Sequence, residues 1–327
     1  MTSMIRWMSL AITLALTLSA LGFHSAASAQ NQKIRISTGS STGTYIKFGQ
    51  AIRQVAPPDI EVTVETSLGS VQNLQRLLAT PEEIDDPDGY YQLAIVQEDV
   101  LDSLLRHAEG DEVLEAIVRN LVVVLPLYNE EIHIFSTSPD IQQFSDLRGQ
   151  EVIGGQALSG TLATSKILYD LVGFDTTEPF LSVGAAKDSR GELADGLFAA
   201  VIDVGGAPTS LATSMIRDDK VHLVEISEAN FPVAESPYSL VRITDEQYEG
   251  LDKSVSTLAV RSLLIAYGYK TGPHCNSINT LIGEVLNNLH LLPNIHEKWE
   301  KVDPALALEH ELLWDCVRPT IEAYVSR

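Results

Sequence analysis

The chain has 327 residues, and 44 Asp and Glu against 22 Lys and Arg give a formal net charge of −22. A hydrophobic content of 45% is enough for a buried core and excludes intrinsic disorder. So large an acid excess excludes a nucleic-acid partner, which needs clustered Lys and Arg, and argues against an anionic lipid surface.

In chain order, the first feature is an apolar stretch, Trp7 to Phe23, preceded by Arg6 and followed by the small-residue site Ala27-Ser28-Ala29. Basic start, apolar stretch and Ala-x-Ala site together predict a secretory signal peptide over 1–29, cleaved after Ala29, and hence a periplasmic protein. The competing reading is a membrane anchor, since that stretch is of borderline length for a span. In an exported chain, Cys275 and Cys316 are expected to pair; two free thiols are the alternative.

Lys33–Thr38 alternates like a strand, the loop Gly39–Thr44 follows, and a helix is expected over Tyr45–Val55 before Pro57-Pro58 stops it. Strand Ile60–Glu65, the loop at Gly69-Ser70, helix Val71–Ala79 and strand Leu93–Gln97 continue the alternation, with the acidic excursion Pro81–Tyr91 before the last. Leu121–Ser136, interrupted by Pro126, reads as a strand leaving one sheet for another. A second cycle then runs through strand Glu151–Ile153, loop Gly154–Thr161, helix Leu162–Val172, helix Ser189–Asp195 and strand Ala199–Val204, which ends at Gly205-Gly206-Ala207-Pro208. Strand Val221–Ile226 precedes an expected return to the first domain, and helices are expected over Asn276–Asn288 and Pro304–Trp314. Alternating strands and helices predict an α/β protein with mostly parallel sheets flanked by helices. The expected lobes are 30–125 with 230–327, and 126–229, with a ligand cleft between them.

Thr42-Gly43-Thr44, Gly69-Ser70 and Ser159-Gly160-Thr161 each open a helix at the carboxyl end of a strand, where open α/β sheets bind ligands. Helix starts carry free N–H groups and partial positive charge, so facing starts would trap a carboxylate without Arg or Lys. As ordinary N-caps, the same Ser and Thr would each add about 1 kcal/mol of stability and bind nothing. The candidate binding residues are Thr44, Gly69, Ser70, Ser159, Gly160 and Thr161. Tyr45 would form an aromatic wall and Asn73 and Gln97 would supply amides. Gly206, Ala207 and Pro208 would form the opposing wall. Asp99 could hold a ligand ammonium, though capping the next helix is the preferred role, and His133 is expected to be packed. No GxSxG elbow, P-loop, GxGxxG or zinc-protease motif is present, so neither an enzyme nor a cofactor is expected.

Seven segments, in order, resemble the TAXI proteins, the solute-binding receptors of one class of TRAP transporters. They are Ser37-Thr-Gly-Ser-Ser-Thr-Gly-Thr-Tyr45, Thr66-Ser-Leu-Gly-Ser-Val-Gln-Asn73-Leu74, Leu93-Ala-Ile-Val-Gln-Glu-Asp99, Leu127-Tyr-Asn-Glu-Glu-Ile-His133, Leu158-Ser-Gly-Thr161, Gly206-Ala-Pro208 and Val255-Ser-Thr-Leu-Ala-Val-Arg261. The likeness spans about residues 33 to 265, with Ser-Ser for a frequent Gly-Gly in the first loop and Ile46 for a frequent Tyr. The resemblance implies a two-lobed type II periplasmic binding protein, expected to act as a monomer. It also implies a small carboxylate ligand, such as glutamate or an organic acid, delivered to a TRAP-type membrane permease. Presentation of the solute to a membrane sensor kinase is the alternative on the same fold.

Overall fold

The computed structural model describes residues 32–327, apart from 81, 84, 86–88, 219, 229–230, 232–235 and 269–272. The expected leader over 1–29 lies outside the described residues, as does part of the acidic excursion. Strand β1 (Gln32–Ser37) leads into α1 (Thr44–Gln54), β2 (Ile60–Glu65), α2 (Ser70–Leu78), β3 (Leu93–Gln97), α3 (Glu98–Ala108) and α4 (Glu112–Val118). Helix α1 forms because Ile46, Phe48, Gly49, Ala51 and Ile52 recur on one buried face, and it ends just before Pro57-Pro58.

Strand β4 (Leu121–Ser136) is 16 residues long and almost wholly buried, as expected of a strand covered on both faces. Beyond it come β5 (Val152–Gly155), α5 (Gly160–Leu171), β6 (Leu181–Val183), α6 (Arg190–Ala194), β7 (Ala200–Gly205), α7 (Ser210–Ile216), β8 (His222–Leu223), β9 (Tyr238–Ile243) and β10 (Val255–Tyr267). The chain closes with α8 (Pro273–Asn287), α9 (Ala305–Glu309) and α10 (Arg318–Val325).

The strand order is β2-β1-β3-β10-β4-β7-β5-β6, with β8 and β9 attached to β4 and β10. Parallel pairing is confined to the two ends, β2-β1-β3 and β7-β5-β6, while the long central strands pair antiparallel with all their neighbours. Strands β4 and β10 run through both halves, so they are the two crossings between lobes. The passage within β4 lies beyond the expected Pro126, because Leu127 and Tyr128 still pack in the first lobe's core and Ile132 is the first residue of the strand in the second. Register slips at Pro126, where Arg261 faces Asn129 and Leu263 faces Pro126, and Ser262 Oγ bridges the irregularity to Tyr128 N at 3.3 Å and Tyr128 O at 2.9 Å. A proline sits in this central strand because the bulge removes the need for its missing N–H.

Each lobe has apolar cores on both faces of its sheet. The return crossing lies later than the expected 229/230 boundary. Phe231, Tyr238, Leu258 and Val260 pack in the second lobe's core with Ile132 and Ile134, so the chain leaves that lobe only within β10. Sequence periodicity missed this because β9 pairs with the crossing strand itself. The expected helix over Pro304–Trp314 shortens to α9, after which Val123 N donates to Leu312 O (2.8 Å) and Trp314 N to Val123 O (2.9 Å), stitching the tail to β4. Cys275 and Cys316 form a disulfide that joins α8 to the segment before α10.

Candidate functional site

A cavity of about 600 Å³ separates the lobes. Lobe 1 contributes the Gly39–Tyr45 loop, Lys47, Leu68–Ser70, Gln97 and Glu130; lobe 2 contributes Gly155, Gln156, Ser159–Thr161, Ala185–Lys187 and the segments Ile202–Gly205 and Pro208–Leu211. Thr44, Tyr45, Gly69, Ser70, Gln97, Ser159, Gly160, Thr161 and Pro208 therefore meet at one cleft. Asn73, Gly206 and Ala207 are not on its wall.

The physical reasons differ. Asn73 is fully buried on the sheet side of α2, where its Oδ1 accepts from Ser37 Oγ (2.6 Å) and its Nδ2 donates to Ile95 O (2.7 Å) and to Thr38 O. It ties α2 to β1 and β3 and has nothing left for a ligand. Gly206 approaches the Tyr128 ring rather than a solute, since a Cβ there would lie 2.6 Å from Tyr128 Cε2. Ala207 N donates to Glu131 Oε2 at 2.6 Å.

Among the helix starts, the capping explanation wins for α5. Ser159 Oγ accepts from Leu162 N (3.0 Å) and its hydroxyl donates to Gln156 O (2.7 Å), so it offers no free donor to a solute. Thr161 Oγ1 accepts from Val204 N at 3.3 Å, fastening α5 to β7. Ser70 Oγ donates to Gln97 Oε1 and accepts from Gln97 N, both at 3.1 Å. The starts of α2 and α5 also meet directly, with Gln72 N donating to Leu158 O at 3.1 Å and Gln156 Nε2 to Leu68 O at 3.2 Å. Gly160 allows this approach, because a Cβ there would collide with Gln97 Oε1 and lie 2.6 Å from Ser70 Oγ. Helix α1, like α2, starts after a glycine that supplies no side-chain cap, and the Gly43–Tyr45 turn lines the cavity. Its first-turn N–H groups have no intrahelical acceptors and point the positive end of α1 at the cleft.

Asp99 lies in the first turn of α3, where it accepts one of the helix's free N–H groups, and it does not line the cavity. Its Oδ2 accepts from Thr164 Oγ1 and Tyr238 OH, each at 2.7 Å, and its Oδ1 from Val100 N at 2.8 Å, which joins the lobes through a buried carboxylate. Burial raises its pKa to about 6 against these bonds. His133 is fully buried beside Tyr248, with Nε2 and the Tyr248 hydroxyl 2.8 Å apart, and burial lowers its pKa to about 4. It is packed, as expected.

Sequence reasoning missed two carboxylates that line the cleft, Glu130 and Asp203. Glu130 is 3% exposed and accepts from Tyr45 OH (Oε2) and Tyr128 OH (Oε1), both at 3.1 Å. Phe48 holds Tyr128 in place, stacking on Trp299 with centroids 4.2 Å apart and lying 4.6 Å from the Tyr128 ring. Burial pushes the Glu130 pKa up to about 8 despite the tyrosine bonds. Asp203, at the end of β7, has no hydrogen-bond or ion-pair partner among the described residues, and burial raises its pKa to about 6. The available signal was an acid interrupting an apolar strand, Ala200-Val-Ile-Asp-Val204, close to its carboxyl end.

Residues 36–313 match the model of the NMT1-like family. Among solved structures, the arginine-, lysine-, histidine-binding protein ArtJ of Geobacillus stearothermophilus is 13% identical, with 85% of this chain and all of that one aligned at a TM-score of 0.50. The periplasmic aliphatic sulphonate binding protein SsuA of Escherichia coli is 13% identical over 90% and 83% of the two chains at 0.42. The GluR0 ligand-binding core of Nostoc punctiforme, solved with L-glutamate, is 14% identical over 82% and 98% at 0.46. The fold is thus the two-lobed type II periplasmic binding protein, and the chain belongs to the NMT1-like family.

Proposed function

We propose that this protein is an extracytoplasmic solute-binding receptor. It captures a small carboxylate, an amino acid such as glutamate or an organic acid, and delivers it as a monomer to a TRAP-type permease in the membrane. The observation that carries the reading is the inter-lobe cavity, whose size falls within the usual range of about 300–1,000 Å³ for small-molecule sites. The uncapped start of α1 opens on it, providing N–H donors for a carboxylate without a basic side chain. The ordered TAXI-like segments support the permease partner, and the leader-like 1–29 supports export to the periplasm.

Function follows from the two crossings. A solute that contacts both walls stabilises the joined arrangement of the lobes, and a permease can distinguish that arrangement from an open one. Native mass spectrometry of the exported protein, followed by a thermal-shift screen of organic and amino acids, tests this. A ligand specific for the folded state adds about 2.7 kcal/mol of stability at 100 times its dissociation constant. A melting point unmoved by every small carboxylate and amino acid would overturn the assignment.

A further inference from the structure

Four acidic side chains lie at or near the cleft, and three of them have internal partners. Glu131 pairs with Lys298, Asp99 accepts three hydrogen bonds, and Glu130 accepts two from tyrosines. Asp203 is the exception. It lines the cavity, yet no described residue donates to its carboxylate. His133, its register partner on β4, does not compensate it, since Nε2 is engaged with Tyr248 OH and Nδ1 has no hydrogen-bond partner.

Asp203 is half-buried on the cavity wall, and a solute that covered it would remove its remaining hydration, which is costly unless a cation or several donors replace that water. The lining offers Asp203 no internal cation. It contains no arginine, and its two lysines are Lys187, which is exposed, and Lys47, half-buried on α1 across the cleft. A second polar group faces the same space without a partner. Gln97 is 2% exposed and its amide nitrogen makes no hydrogen bond, while its oxygen is held by Ser70. The cleft thus presents an unmatched anion from lobe 2 and an unmatched donor from lobe 1.

We propose that the cleft selects a solute carrying a protonated amine, and that Asp203 is the specificity-determining residue that holds it. This rests on the solute-binding reading above and narrows it: the ligand is an amino-bearing molecule and not a simple organic acid or dicarboxylate. The ammonium takes up the unsatisfied carboxylate, and Gln97 donates to an oxygen at the far end of the same molecule. A nitrogen-free acid would instead place its own negative charge beside Asp203.

The test is calorimetric titration of the full chain with matched pairs: L-glutamate against glutarate and 2-oxoglutarate, L-alanine against lactate and pyruvate, and the remaining standard amino acids with their 2-oxo counterparts. Binding is expected only on the amino side. Asp203→Asn is expected to weaken the best amino ligand by at least about 10-fold, the loss of one charge-assisted hydrogen bond. The same variant should melt no lower than the wild type without ligand, because Asp203 has no internal partner to lose. A nitrogen-free acid that binds as tightly as its amino counterpart overturns the proposal while leaving the receptor reading intact. So does an Asp203→Asn protein that binds within about twofold of the wild type. Absence of binding across both sides of every pair overturns the small-carboxylate reading too. The wild-type pair comparison decides even if the variant fails to fold.

Discussion

Glu130 and Glu131 are adjacent on β4, yet the two faces of that strand treat them differently. Glu131 meets Lys298 Nζ at 2.7 and 2.9 Å and accepts from Ala207 N, so its charge is matched and it joins a C-terminal turn of lobe 1 to the Gly206-Ala207 segment of lobe 2. Glu130 faces the cleft with two neutral tyrosine hydroxyls and no cation, and burial moves its pKa to about 8. Where the strand serves the architecture, the carboxylate is fully compensated; where it borders the cavity, it is not. Asp203 carries the same contrast further, with no partner at all. Uncompensated polar groups are costly to a folded protein, and here they gather on the two walls that a solute would cover.

That contrast can be broken from its matched side first. Lys298→Met should cost about 3–5 kcal/mol, because it leaves Glu131 buried with only a backbone donor. Urea unfolding measures it, and a loss below about 1 kcal/mol would mean that Glu131 does not depend on the pair. Asn73→Ala should cost about 1–3 kcal/mol by stranding Ser37 and the Thr38 and Ile95 carbonyls, while leaving solute affinity unchanged. A large affinity loss with normal stability would return Asn73 to the binding site.

The unmatched side gives a pH signature. The folded pKa of Glu130 is raised to about 8 against roughly 4.3 in an unfolded chain, so its contribution to stability is fully present below pH ~4.3 and is lost as pH rises through 8. Relative to Glu130→Gln, the wild type should therefore lose stability with rising pH, by at most about 1.4 kcal/mol per pH unit. Tyr45, Tyr128, Asp99 and Glu131 face this group, and Asp99 titrates near 6. The difference between the two proteins isolates Glu130. Parallel melting curves from pH 5 to 8 would show that the carboxylate is already compensated. The smallest effect belongs to Ser159→Ala, which removes an N-cap and should cost about 0.5–2 kcal/mol with little change in affinity. A strong affinity loss there would restore Ser159 as a ligand contact.

Much of the fold is legible in the sequence because strand, loop and helix announce themselves locally. The starts of α1, α2 and α5 fall at Thr44, Ser70 and Gly160, beside the Gly and Ser residues that mark them. What could not be read locally is direction. Asn73 shares a helix face with Ser70, but it lies one turn further along α2, which carries it over β1 and β3 and leaves Ser70 at the helix start beside the cavity. The glycine of Gly206-Ala207-Pro208 signals close approach correctly, but the approaching group is Tyr128, some 78 positions earlier in the chain. Acids in a chain of such negative charge look like solvated surface. Asp203 is marked in the sequence only by interrupting an apolar strand, and three-dimensional placement alone separates Glu130 from the many that are exposed.

Gly160 offers the most direct measurement. Its missing side chain lets lobe 2 approach Gln97 and Ser70, and alanine is the better helix former, so lower affinity in Gly160→Ala could not be assigned to a broken helix. Calorimetry with the tightest solute from the screen should give one site per chain in the wild type and at least about 10-fold weaker binding in Gly160→Ala. Equal affinity in the two proteins would contradict solute capture between joined lobes.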